Sequence, residues 1–202
     1  MSARVAILLS GRGSNYAALQ RAVDEGRLPA EIVLVVSNRP EATGVDLASR
    51  AGVPVRVIPH RGEASREAHE AKILAALEDV RAEWICLAGY MRLLSAGFVA
   101  RYRWRVLNIH PSLLPSFPGL EVHRQALEHG VRISGCTVHL VDAGLDDGPI
   151  VAQRAVPVLD DDTPETLAAR ILAEEHRAYP EALARLLAEP WRVEGRRILF
   201  GA

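Results

Sequence analysis

The sequence predicts an α/β protein built on a doubly wound, Rossmann-like, mostly parallel sheet with a mixed C-terminal edge. Three observations carry this. Short apolar runs alternate with helical stretches through the first half of the chain. The first run ends in a glycine-rich turn that opens a helix, Gly11-Arg12-Gly13-Ser14-Asn15. After Val131 the alternation stops, and two strand-like runs follow one another across a Gly/Asp-rich loop.

Strands are expected at 4–10, 32–37, 55–58, 84–88, 106–110, 134–141 and 150–158. Helices are expected at 15–25, 44–51, 63–81 and 96–102, and another across 120–129. The last long helix has a marked start: Thr163 suits the N-cap, Pro164 the first helical position, and Glu165 complements the helix dipole. Its apolar stripe runs Leu167, Ile171, Tyr179 and Leu183, with Glu175 on the same stripe. Pro180 should kink this helix, or end it and start another. The tail from Trp191 to Leu199 is expected to form a small hairpin turning at Glu194-Gly195.

At 202 residues the chain suits one domain, with 49% hydrophobic and 24% charged residues. A net charge of −1 offers no basic surplus for nucleic acid and no acidic surplus for disorder. Cys86 and Cys136 sit in apolar runs without metal-ligand spacing, so buried reduced thiols are expected. No run suits a signal peptide or a membrane span, which points to the cytoplasm.

The chemistry concentrates at Val106-Leu107-Asn108-Ile109-His110. Side chains alternate along a strand, so Asn108 and His110 share a face. A buried parallel strand should be apolar on both faces, yet this one ends in an amide and an imidazole. Strand ends are where open α/β sheets bind ligands. An amide donor beside a titratable ring suits a reaction through a tetrahedral oxyanion. The plainer reading is a polar strand end with a satisfied core histidine.

Other segments carry similar alternatives. Gly13, Ser14 and Asn15 open a helix whose free N–H groups could take an anion, or they form a plain turn. Tyr16 stands where a dinucleotide fingerprint needs glycine, so a single phosphate is favoured over a pyrophosphate. A valine at Gly13 is expected to weaken mainly the phosphate-bearing ligand and to spare any second ligand. The loop Asp142-Ala143-Gly144-Leu145-Asp146-Asp147-Gly148 has turn composition but an unusual three aspartates. The run after the fourth strand, Gly89-Tyr90-Met91-Arg92-Leu93-Leu94, is either a turn with core residues or a pocket wall. Arg66 taken alone is a solvated helix charge. Glu175 on an apolar stripe needs partners or a groove edge.

The run Asn108-Ile109-His110-Pro111-Ser112-Leu113-Leu114-Pro115 resembles the signature of the folate-dependent formyltransferases. Asp142 to Ile150 is similar to the same family's Asp-x-Gly-x-Asp-x-Gly-Pro-Ile loop. The resemblance implies the formyltransferase fold in a single domain, 1–202, with a phosphate-binding half to about 100 and a catalytic, folate-binding half from about 101. It implies catalysis by Asn108, His110 and Asp146, the carboxylate favouring the imidazolium form of His110. It implies substrate contacts from Gly13, Ser14, Asn15 and Glu175. On the folate side it implies Arg66, Met91, Arg92, Leu93, Leu94 and Asn108. The implied reaction moves formyl from 10-formyltetrahydrofolate, as cosubstrate, to the glycine amine of 5′-phosphoribosylglycinamide in purine biosynthesis. No metal is expected, and the expected partners are small molecules, with no nucleic acid or membrane, on a monomer or homodimer. A formyltetrahydrofolate deformylase or a methionyl-tRNA formyltransferase-like enzyme is the alternative. The first is expected to carry an N-terminal regulatory domain and the second a C-terminal RNA-binding domain. With the first strand at Arg4 and little after the last helix, neither is expected here.

Overall fold

The structure, a computed structural model, describes residues 2–201. The chain divides into two compact units, residues 1–107 and 108–202.

The first unit contains β1 (Ala3–Leu9), α1 (Ser14–Asp24), β2 (Ala30–Ser37), α2 (Thr43–Arg50), β3 (Val55–Val57), α3 (Arg66–Asp79), β4 (Trp84–Leu87) and α4 (Ala96–Arg101). Its strands lie in the order β3-β2-β1-β4, and the pairs are parallel. Val5 to Leu9 are buried without a break, as a central parallel strand covered on both faces requires. Each such aliphatic side chain contributes about 1.5–3 kcal/mol relative to exposure. The chain winds outward from β1 to β3, then restarts beside β1 with β4. That reversal is the switch point at which α/β sheets open a crevice for ligands.

β5 (Val106–His110) leads into the second unit, which contains α5 (Val122–Glu128), β6 (Ile133–Leu140), β7 (Ile150–Pro157), α6 (Pro164–Ala188), β8 (Trp191–Glu194) and β9 (Arg197–Phe200). Here the order is β5-β6-β7-β9-β8. β6 and β7 pair antiparallel, β8 and β9 pair antiparallel, and β7 meets β9 in parallel at Ile150 and Arg197. This is the mixed C-terminal edge that the sequence predicts. α6 packs on β6 and β7 through the predicted stripe, with Leu167, Ile171, Tyr179 and Leu183 all buried.

Two details differ from the sequence expectation, and one choice it left open is decided. α3 begins at Arg66 rather than 63, because Ser65 Oγ accepts the Ala68 N–H at 3.0 Å and caps the helix there. α6 does not end at Pro180. The proline removes one N–H from the ladder, but Tyr179, Ala182, Leu183 and Leu186 around it are buried, and this packing carries the helix on to Ala188. The tail hairpin turns at Gly195-Arg196, one residue later than expected, because Glu194 pairs with Arg197 and Gly195 takes the left-handed conformation at φ 61°.

The start of α6 is locked as expected. Thr163 Oγ1 accepts the Thr166 N–H, and Thr166 Oγ1 accepts the Thr163 N–H in return. Arg170 grips Asp162 with two bonds, of 2.7 and 2.9 Å. Arg170 first, then the Leu159 amide and Thr166, hold the Asp162 carboxyl well below the usual carboxylate range. A depressed folded value stabilises the fold above the unfolded pKa of about 3.9, and the contribution is lost as pH falls below it. Asp162→Asn is therefore expected to lower the Tm at pH 7. The gap to the parent should narrow as the pH drops below about 4, and a gap constant with pH would remove the assignment. Among the described residues, no helix is long and apolar enough to cross a membrane.

Candidate active site

In the first unit, the loop 11–15 leaves β1 at the switch point. Gly13 is the residue before α1 and takes φ 76°, in the left-handed region. The first turn of α1 has no side-chain cap and no acidic residue, so no carboxylate of the helix competes with an incoming anion. Gly13 has a second role that was not legible in the sequence. A Cβ there would lie 2.6 Å from Gly44 Cα, and Gly44 N–H donates to Gly11 O at 3.0 Å. Two glycines thus let the loop and the head of α2 touch. This corrects the expectation for Gly13→Val: the substitution would force α2 away, and ligand affinity would report packing. Ser14, partly exposed, is the cleaner position to change.

The 89–95 loop leaves β4 beside it. Met91 and Leu93 are exposed, and Arg92 and Leu94 are half-buried. Met91 N–H donates to Ser10 Oγ at 2.8 Å, so the loop is tied to the end of β1. Arg66 stands on the first turn of α3, largely exposed, 3.6 Å from Glu67.

In the second unit, folding brings together Asn108, His110 and Asp146. His110 Nδ1 lies 3.4 Å from Asp146 Oδ2, and His110 Nε2 lies 2.9 Å from Phe117 O. Both ring nitrogens face acceptors; a neutral ring can donate to one, and an imidazolium satisfies both. Gly119 N–H also donates to Asp146 Oδ2, at 2.9 Å. Asp146 adopts φ 51°, a left-handed conformation that aspartate tolerates better than most residues. The three aspartates of the loop separate by role. Asp142 Oδ1 accepts Gly144 N–H at 3.0 Å, Asp147 pairs with Arg196, and only Asp146 turns onto the histidine. Gly148 closes the loop: a Cβ there would sit 1.8 Å from Leu140 O, so no side chain fits where β6 and β7 pinch together.

A fourth residue belongs to this group and was missed in the sequence reading. His139 Nε2 is 3.1 Å from Asn108 Nδ2 and 3.8 Å from Asp146 Oδ1, and its Nδ1 lies 3.2 Å from Leu140 O. Burial pushes the His139 pKa down, opposed by the Leu140 carbonyl and by Asp146. The ring is therefore neutral. Its Nδ1–H points to Leu140, and its bare Nε2 accepts one proton of the Asn108 amide. The second amide proton is left for another acceptor. The signal was available: Thr137 and His139 put polar groups on one face of a buried strand, as Asn108 and His110 do. Thr137 also supports the site. Its Oγ1 donates to Ser112 O at 2.7 Å and accepts Leu114 N–H at 3.0 Å, which fixes the loop after β5.

Glu175 is buried on α6. Its charge reaches the thiol of Cys136 on β6, whose pKa is pushed up to about 12, chiefly by burial. Cys86 and Cys136 are both buried.

Fold and site together define an α/β enzyme with an amide, an imidazole and a carboxylate gathered at one strand end. The chain belongs to the formyl transferase family, whose profile matches residues 3–183. It is 51% identical over 186 residues to the trifunctional purine biosynthetic protein adenosine-3 of Drosophila melanogaster, covering 91% of this chain but only 14% of that protein. It is 38% identical over 192 residues to the phosphoribosylglycinamide formyltransferase of Escherichia coli (strain K12), covering 95% of this chain and 88% of that one. Among solved structures, glycinamide ribonucleotide transformylase 1 from Symbiobacterium toebii superposes with a TM-score of 0.96 at 48% identity, covering 98% and 94% of the two chains.

Proposed function

We propose that this chain transfers the formyl group of 10-formyltetrahydrofolate to the glycine amine of 5′-phosphoribosylglycinamide, a step of purine biosynthesis. The observation that carries the reading is the Asn108–His110–Asp146 arrangement at one strand end. Phosphoribosylglycinamide as acceptor is supported by the relative in Escherichia coli, which aligns over most of its own length.

Each residue then has a task. When the amine attacks the formyl carbon, negative charge grows on the formyl oxygen. The free proton of Asn108 Nδ2 is the donor for it, joined by a His110 ring N–H when it turns from its resting acceptor, Asp146 or Phe117 O. Asp146, 3.4 Å from His110 Nδ1, orients the ring and can pass on the proton that the amine loses. The departing folate nitrogen needs a proton, and His110 is the group to give it. The loop at Gly13, Ser14 and Asn15 takes the ribonucleotide phosphate. Arg66 and the run Met91 to Leu94 take the folate, with apolar walls for the pterin and Arg92 for an acidic tail. Glu175 is assigned to the ribose. The partners on this reading are small molecules.

An acceptor assay tests the proposal. With 10-formyltetrahydrofolate, phosphoribosylglycinamide should be formylated, and formate release without acceptor should be slow. Rapid acceptor-independent release would make water the acceptor. Formylation of charged initiator tRNA would make the acceptor a nucleic acid.

A further inference from the structure

The 89–95 loop has no regular structure, yet two buried polar clamps hold its ends, and both lead back to consecutive residues of one helix. The first clamp starts at Met91 N–H, which donates to Ser10 Oγ at 2.8 Å. Ser10, 4% exposed, spends its own proton on Asn38 Oδ1 at 2.6 Å. That fixes the Asn38 amide, 2% exposed, so that Nδ2 faces His60 Nδ1 at 3.2 Å. The His60 ring in turn stands edge-on to His69, with centroids 6.2 Å apart. His69 is buried on α3, its Nε2 2.8 Å from Ile58 O. The second clamp is the next residue, Glu70. It is 4% exposed, with one oxygen on Ser95 N–H at 2.7 Å and the other on the Ser95 hydroxyl.

A buried carboxylate without an arginine or lysine on it is costly, and it persists only where its hydrogen bonds are worth more than its desolvation. Both Glu70 oxygens are used on a single loop residue. From the first clamp on, Met91 and Leu93 face outward, 58% and 61% exposed, while Leu94 stays half-buried. Tyr90, just before the first clamp, has its pKa pushed up to about 12, chiefly by burial, with the charge of Glu70 adding to it.

We propose that His69 and Glu70 of α3 are positioning residues for the folate. Through His60, Asn38 and Ser10 at one end and Ser95 at the other, they hold the loop so that Met91, Arg92 and Leu93 are set for binding before the ligand arrives. This rests on the folate reading of that loop given above. A preformed loop spares the ligand the cost of ordering it.

The test separates folate affinity from turnover and from stability. His60→Ala, at a partly exposed site, removes the ring nitrogen that lies 3.2 Å from Asn38 Nδ2 and 3.3 Å from Asn38 O. It is expected to raise the folate KM about tenfold, the effect of one lost buried hydrogen bond, with the ribonucleotide KM unchanged and kcat little altered. His60→Asn, whose Oδ1 can take the place of Nδ1, should recover most of that affinity. Glu70→Gln should give the same split between the two substrates. Direct titration with tetrahydrofolate, run beside Arg92→Ala, separates the two layers of the argument. Weaker folate binding in Arg92→Ala with no change in His60→Ala and Glu70→Gln overturns the clamps and leaves the pocket standing. Unchanged binding in all three overturns both. A lower Tm with equal rises in both KM values makes the clamps merely structural and also overturns the proposal.

Discussion

Asp146→Asn is expected to lower turnover near neutral pH by roughly two powers of ten, the scale of a lost acid–base partner. The substitution is a clean one. Asparagine tolerates the left-handed backbone at φ 51° at least as well as aspartate, so the loop keeps its path. What disappears is the negative charge 3.4 Å from His110 Nδ1. His110→Ala should be at least as damaging. The double variant should lose far less than the product of the two single losses, because one residue acts through the other. Multiplicative losses in the three kcat values would sink the coupling and leave Asp146 as a loop-forming residue.

The second large effect is expected at Asn108. Asn108→Ala removes an oxyanion donor, which costs roughly 10²–10³ in kcat. His139 tests how the amide is held. His139→Phe keeps the ring's bulk but removes the Nε2 acceptor 3.1 Å from Asn108 Nδ2, and should cost about tenfold. His139→Gln can offer an oxygen near the Nε2 position and should fall between the parent and His139→Phe. These losses should appear in kcat and spare both KM values, since the interaction is spent on the transition state. Parent-like kcat in His139→Phe would show that the amide orients itself. A loss of only a few-fold in Asn108→Ala would remove the oxyanion role.

The sequence alone determined the fold class and most element positions, because both follow from local pattern. Buried strands such as 5–9 are continuously apolar, and helix starts such as Thr163-Pro164 carry their own caps. It also singled out Asn108 and His110, since two polar side chains on one face of an otherwise buried strand are anomalous wherever the strand lies. The three aspartates of the 142–147 loop look alike by composition. The family resemblance picked out Asp146; the fold shows that Asp142 ties a turn, Asp147 meets Arg196, and Asp146 lies 3.4 Å from His110, which is 36 positions away. A polar face with Thr137 and His139 was legible on β6, but the role of His139 exists only through Asn108, 31 residues away, and no local pattern links the two. The glycines divide in the same way. Gly13 reads as a turn residue in sequence, whereas its contact with Gly44, and that of Gly148 with Leu140, are close approaches between distant segments. Local pattern specifies what a segment prefers to be. Which side chain a carboxylate touches, which ring is neutral and which glycine admits no Cβ depend on what the folded chain brings alongside, and only the tertiary structure decided those.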